Sequence, residues 1–303
     1  MGGWSGQNDD NDEYEIDDDD DGPEGRWLQC FDPKAGGWGR LGDMAVGRPA
    51  RCGTVALGPC LFAFGGEDDD ATGPGHTTMY NMATRRMGEG AKPPRALRGC
   101  TGVACGGLVY SLGGWVYGPQ HVADVFIYNP DIDSWVGGPT LPLAVDVMAA
   151  VEHMGCVYAC GGWKGDDPPS DSLLMLDPRT RTWASLPDMP TPVKYAQASV
   201  VADRMYVPGG GAGAALEPWA LPILQCYDLV AGRWDMNCAP MAWARSAHGV
   251  AALHGEVWAV GGKDDDVNYM ASVEVYSPRL NTWRSGVSLP REWCHGACAV
   301  VQC

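Results

Sequence analysis

The chain of 303 residues sets 21 Lys and Arg against 38 Asp and Glu, for a formal net charge of -17, with 45% hydrophobic residues. That apolar fraction suffices for a folded core, while the charge argues against the basic footprint that nucleic acid requires and against adsorption to anionic membranes. No run approaches the ~18 apolar residues of a membrane span, and Met1-Gly2-Gly3-Trp4 followed by acid does not read as a signal peptide.

Along the chain the first feature is Gly2-Gly3, followed by an acidic low-complexity insertion at about 8–25 and two short segments carrying Phe31 and Trp38. Five units follow, at about 46–94, 95–142, 143–190, 191–241 and 242–290. Each opens on a small-residue, β-leaning run such as Gly53-Thr-Val-Ala-Leu57. An apolar run then closes on a glycine pair: Gly65-Gly66, Gly113-Gly114, Gly161-Gly162, Gly209-Gly210 and Gly261-Gly262. Two aromatic columns keep step. One holds Phe31, Tyr80, Tyr128, Leu176, Tyr227 and Tyr276. The other, seven residues later, holds Trp38, Met87, Trp135, Trp183, Trp234 and Trp283. A turn such as Asn129-Pro-Asp-Ile-Asp133 separates them, with Pro fixing φ and Asp accepting turn amides. Each unit therefore predicts four short strands. Glycine supplies unusual backbone angles and room for a neighbouring ring to pack on bare backbone, and the indole and phenol rings fill the seams between sheets.

This pattern resembles the kelch repeat, in which a double glycine is followed about fifteen residues on by Tyr and seven later by Trp. The period is that of a four-stranded blade, and such units form a β-propeller. The resemblance covers residues 27–303 and implies an all-β, six-bladed kelch propeller spanning 1–303 as one domain. The sixth blade is expected to combine 291–303 with 1–45, the C-terminal His295-Gly-Ala-Cys-Ala-Val-Val301 lying innermost. Only Met1 precedes Gly2-Gly3, so the second strand of that blade reads as incomplete and the chain as a piece of a longer parent.

The loops after Gly-Gly and after Trp are expected on one face, where variable loops on a rigid scaffold serve recognition. The first set is acidic, with Glu67-Asp68-Asp69-Asp70, Asp166-Asp167 and Asp264-Asp265-Asp266, and carries Trp115, Tyr117, Trp163 and Trp219. The second set supplies Arg48, Arg51, Arg95, Arg98, Lys194, Arg245 and Arg291, interrupted by Asp146. A basic collar within an acidic rim suits carboxylate or phosphate side chains of a protein partner. The structural reading of the same arginines, as strand caps or partners of a neighbouring blade, has equal weight. The resemblance implies a role in holding acidic peptides for Arg51, Arg98 and Arg245.

No catalytic motif, metal site or cofactor is predicted. Cys156 and Cys160 fall about 13 Å apart on one strand face, too far for one ion, and no phosphate loop, zinc-protease or nucleophile-elbow signature appears. The twelve cysteines read as reduced, mostly inert thiols in a cytoplasmic or nuclear protein, although Cys52 and Cys100, at the repeat position of His248 and His295, suggest a ring at the channel mouth. By resemblance to BTB-kelch proteins, the expected function is substrate recognition for a cullin-3 ubiquitin ligase, with BTB and BACK domains upstream and this piece monomeric. An actin-bundling kelch protein and a kelch-fold carbohydrate-active enzyme are the alternatives.

Overall fold

The computed structural model describes residues 27–43, 52–66, 77–116, 120–165, 168–213, 220–266, 268–294, 298 and 300. The acidic insertion, Gly2-Gly3 and most of 295–303 lie outside them.

Among the described residues every regular element is a strand. A hairpin pairs β1 (Trp27–Asp32) with β2 (Gly37–Asp43). Five antiparallel sheets of four strands follow. The first holds β3 (Gly53–Leu57), β4 (Cys60–Phe64), β5 (Thr77–Asn81) and β6 (Arg86–Gly90). The second holds β7 (Thr101–Cys105), β8 (Leu108–Leu112), β11 (Val125–Asn129) and β12 (Ser134–Gly137), its loop folding on itself as β9 (Trp115–Val116) and β10 (Gln120–His121). The third runs β13 (Ala149–His153), β14 (Cys156–Cys160), β15 (Leu173–Asp177), β16 (Thr182–Leu186). The fourth runs β17 (Ser199–Val201), β18 (Arg204–Pro208), β19 (Leu224–Asp228), β20 (Arg233–Asp235), and the fifth β21 (Gly249–Leu253), β22 (Glu256–Val260), β23 (Val273–Ser277), β24 (Thr282–Ser285).

The first strand of each sheet is innermost. Strands β3, β7, β13 and β21 and residues 195–198 leading into β17, together with Cys298 and Val300, line a central channel of about 370 Å³. Their small residues let the inner strands approach the axis, while the bulk moves outward to the seams. The propeller is therefore as expected, but its blade count is not. Among the described residues five complete blades stand where six were predicted, and the sixth sector is represented by the two-stranded sheet of β1 and β2. The residues assigned to that sector's inner strands lie almost entirely outside the described ones. The hairpin nevertheless packs as a blade does: Trp38 joins Val260, Val273, Trp293 and Cys298 in one cluster, and its Nε1–H donates to Val287 O at 2.8 Å.

The aromatic columns sit as expected. Tyr80, Tyr128, Leu176, Tyr227 and Tyr276 are buried. The indoles lie half-buried beside them, as in the Tyr128–Trp135 and Tyr276–Trp283 pairs with centroids 5.1 and 5.2 Å apart. The double glycine differs from expectation in what it accommodates. At Gly161 (φ +67°) a Cβ would collide with the carbonyl of Val193, and Gly162 (φ +100°) donates its N–H to that same carbonyl at 2.8 Å. A backbone carbonyl entering the next blade, not a ring, needs the bare backbone there. Gly66 with Leu97, Gly114 with Val145, Gly210 with Arg245 and Gly262 with Trp293 repeat the same hydrogen bond.

Candidate protein-binding face

The segments entering β7, β13, β17 and β21 each turn through one residue in the left-handed region: Gly99 (φ +61°), Val147 (φ +44°), Tyr195 (φ +55°) and Ala247 (φ +51°). For a β-branched residue such as Val147 that conformation is costly, and the surrounding hydrogen bonds hold it. Val147 N–H donates to Gly99 O (2.8 Å), Tyr195 N–H to Val147 O (3.1 Å) and Ala247 N–H to Tyr195 O (2.8 Å). This belt runs from blade to blade at the channel mouth, and all four residues line the channel.

The residue just before each belt position forms a second ring: Arg98, Asp146, Lys194 and Ser246. Each pairs by an antiparallel bridge with the residue after a Gly-Gly, respectively Trp115, Trp163, Gly211 and Lys263. The side chains then interlock. The Arg98 guanidinium lies 5.2 Å from the centroid of the Trp115 ring. Lys194, only 2% exposed, places Nζ 4.5 Å from the centroid of Trp163. Lys263 Nζ stands 5.9 Å from the Tyr195 centroid. Between the cations, buried Asp146 has its Oδ1 3.5 Å from Nδ1 of His121, and His121 meets Trp163 edge-on at 5.5 Å. Burial pushes the Lys194 ammonium down; Asp146 opposes this and Lys263 adds to it. Cation–π contacts of this kind gain strength when water is excluded. The collar is thus of mixed charge, with Asp146 as its anionic member.

Of the expected binding residues, the structure brings Arg98, Trp115, Trp163 and Lys194 together here. Arg95 lies apart, its exposed guanidinium 2.9 Å from Asp124 Oδ2. Arg48, Arg51, Tyr117 and Trp219 lie outside the described residues. Arg245 is placed differently. Counted from the hydrogen bond to Gly210, it occupies the buried position of Leu97, Val145 and Val193, displaced by one extra residue between Trp234 and Met241, which stand seven apart where Trp183 and Met189 stand six apart. Its guanidinium is fully buried, 2.7 Å from Glu274 Oε2, and donates also to Gly261 O (2.8 Å) and Ser272 O (3.1 Å). Arg245 therefore offers no surface to a partner, and the position that faces the mouth is its neighbour Ser246.

The repeat also has a counterpart in known proteins. A model of the KLHDC2/KLHL20/DRC7 kelch-repeats domain matches residues 99–300. The chain belongs to the kelch-repeat family. Human Kelch-like protein 23 is 28% identical over 279 residues, covering 90% of this chain and 48% of the relative. Human Kelch-like protein 33 is 31% identical over 109 residues, or 36% of this chain and 20% of that protein. Beta-scruin of Limulus polyphemus is 44% identical over 52 residues, 17% of this chain and 6% of that protein. The chain thus spans about half the length of Kelch-like protein 23 and less of the others. Among solved structures, that of YjhT matches with a TM-score of 0.70 at 15% identity, covering 84% of this chain and 88% of that one, a likeness of fold.

Within this kelch propeller, sequence reasoning did not place His121, Tyr195 or Lys263 in the collar and treated Asp146 as an interruption. The signal available was register: the residue after each Gly-Gly and the residue one beyond its carbonyl partner meet at the mouth, whatever their chemistry. Cys100 and His248 do share a position lining the channel. Burial pushes the Cys100 thiol up to about 11 and the His248 imidazole down to about 3, so the one stays protonated and the other neutral at pH 7. Among the described residues no group of three or more His, Cys, Asp and Glu side chains gathers that could hold a metal ion.

Proposed function

We propose that this kelch propeller is a protein-recognition domain whose partner docks on the channel-mouth face, and that its parent is a BTB-kelch-type substrate adaptor of a cullin-3 ubiquitin ligase acting in the cytoplasm. The observation that carries the reading is the collar at one end of a rigid ring, where half-buried Arg98, Trp115 and Trp163 face the mouth and buried Lys194 and Asp146 underpin them. Aromatic and cationic side chains dominate interface energetics, and cations already seated on rings lose little further freedom on binding. Asp264, Asp265 and Asp266, which follow the collar residue Lys263, would steer and select partners by charge. The Kelch-like relatives, about twice as long as this chain, support the adaptor reading. Closure of the sixth sector by 291–303 against the β1–β2 hairpin belongs to the same proposal. Cys298 and Val300 on the channel support it.

The test is in cells, with the parent protein. A partner captured through the propeller should accumulate ubiquitin conjugates that disappear when cullin-3 is depleted. Capture of a partner whose ubiquitination ignores cullin-3 would keep recognition and remove the ligase role.

A further inference from the structure

One large aromatic side chain stands in the open beside the collar. The seam tryptophans Trp135, Trp183, Trp234 and Trp283 are half-buried, whereas Trp243 is 62% exposed. It lies in the segment that leads from β20 to β21, two residues before Arg245. The same place in the preceding blades is held by Arg95, Leu143 and Thr191, counted from the carbonyls that Leu97, Val145, Val193 and Arg245 offer to the glycine pairs. The main chain at Trp243 is fixed. The Glu274 carboxylate accepts the N–H of Ala242 at 2.7 Å and that of Trp243 at 3.4 Å. An exposed indole on a held backbone has little freedom left to lose when a partner covers it.

Carboxylates gather on the adjoining loop. Ser246 and Lys263 pair by an antiparallel bridge, so the chain reaching back to Trp243 and the chain running on to Asp266 leave that pair in the same direction. Leu221 bridges Arg245, and the N–H of its neighbour Ala220 donates to Asp265 Oδ1 at 2.6 Å, which ties the two segments together. Asp264 shapes the turn, its Oδ1 accepting the N–H of Asp266 at 3.0 Å and that of Asn268 at 2.9 Å. Asp265 and Asp266 are exposed. Tyr269, which returns the turn to Lys263 by a further bridge, is 39% exposed. The nearest cations of the same segments face elsewhere: Lys263 Nζ stands 5.9 Å from the Tyr195 centroid at the channel, and Arg245 is buried against Glu274.

We propose that Trp243, Asp265 and Asp266, with Tyr269 beside them, form a docking patch for a basic segment of the protein partner, whose arginine or lysine side chain lies on the exposed indole while its charge meets the carboxylates. The inference rests on the reading of the channel-mouth face as the recognition face, and adds to it the chemistry of the partner. The face of an indole attracts a cation, and arginine also stacks on the ring and grips a carboxylate through paired hydrogen bonds. A chain of net charge -17 draws such a segment in. An acidic segment would be repelled by Asp265 and Asp266, and a wholly apolar one would cover them without supplying a partner.

The test uses the whole chain and a fluorescein-labelled, amidated Gly-Ser nonapeptide in which arginines flank a lysine. Binding is read by fluorescence polarisation at about 150 mM salt, where attraction between distant exposed charges is screened. The same peptide with glutamates in place of the basic residues is the comparison. The basic peptide should bind and the glutamate peptide should not. Trp243→Ala, which leaves the net charge unchanged, should weaken binding at least about tenfold, and Asp266→Asn about threefold. In the wild-type protein, carbodiimide coupling should join the peptide's lysine to Asp265 or Asp266 as an amide, recovered in the tryptic peptide 264–279. That measurement needs no variant to fold. The proposal is overturned if the basic peptide does not bind, if the glutamate peptide binds as tightly, if folded Trp243→Ala binds as the wild type does, or if coupling reaches the acidic run at 9–21 and not Asp265 or Asp266. Each of these outcomes leaves the collar reading standing, because Trp115 and Trp163 are intact in every protein used.

Discussion

The indole of Trp183 reaches across a blade boundary, its Nε1–H donating to the main-chain carbonyl of Pro139 at 2.8 Å. Trp234 does the same to Pro187, Trp283 to Ala239 and Trp38 to Val287. Each ring both fills a seam and satisfies a carbonyl of the preceding sector. Trp183→Phe keeps most of the apolar contact and loses the hydrogen bond, a cost of about 1 kcal/mol. Trp183→Ala loses both, for about 3 kcal/mol. Urea unfolding midpoints at constant slope check the difference; equal costs would mean that the bond contributes nothing.

The Arg245–Glu274 pair acts on stability. Glu274 also accepts the N–H groups of Ala242 (2.7 Å) and Trp243 (3.4 Å), so it fixes the connection into the fifth blade. Arg245→Leu leaves that carboxylate buried without its cation and is expected to cost about 3 kcal/mol. Partner affinity of the folded protein should not change. Lost affinity at unchanged thermal stability would return Arg245 to the recognition set.

His248 makes the fold sensitive to acid. Burial, then the Arg245 charge, lowers its folded-state value to about 3 from the ordinary 6.5. The unfolded chain therefore binds more protons between those values, and this contribution to stability is full above pH 6.5 and falls as pH drops toward 3. Replacing the imidazole by the side chain found at the equivalent Met148, His248→Met, should flatten the pH dependence of the unfolding midpoint between pH 6.5 and 4. An unchanged slope would place the acid sensitivity in other groups.

The aromatic columns and the glycine pairs made the propeller legible before any coordinates, because both are fixed by packing geometry that repeats. Blade count was less so. The sector made from the two ends of the chain has an acidic insertion where its strands should meet, and only Phe31, Trp38 and their neighbours keep the pattern. The binding face was read partly by residue type, which selected Arg245 by its charge. Its register is that of Leu97, Val145 and Val193, a displacement created by one extra residue between Trp234 and Met241. Register also found what chemistry overlooked: Lys263 stands in the column of Trp115 and Trp163, and Asp146 in that of Arg98 and Lys194. His121 had no such column, since the small β9–β10 fold that delivers it occurs in the second blade.

The recognition claim is tested most directly by partner capture with paired variants, read by quantitative mass spectrometry on folded protein. Trp115→Ala with Trp163→Ala alters the channel mouth; Leu280→Ser alters an exposed turn, 61% accessible, at the opposite end of the fifth blade. The account predicts that a specific set of proteins captured by the wild type falls at least about tenfold with the double variant, corresponding to about 1.4 kcal/mol, and is unchanged with Leu280→Ser. Capture that survives the double variant and is lost with Leu280→Ser would contradict it.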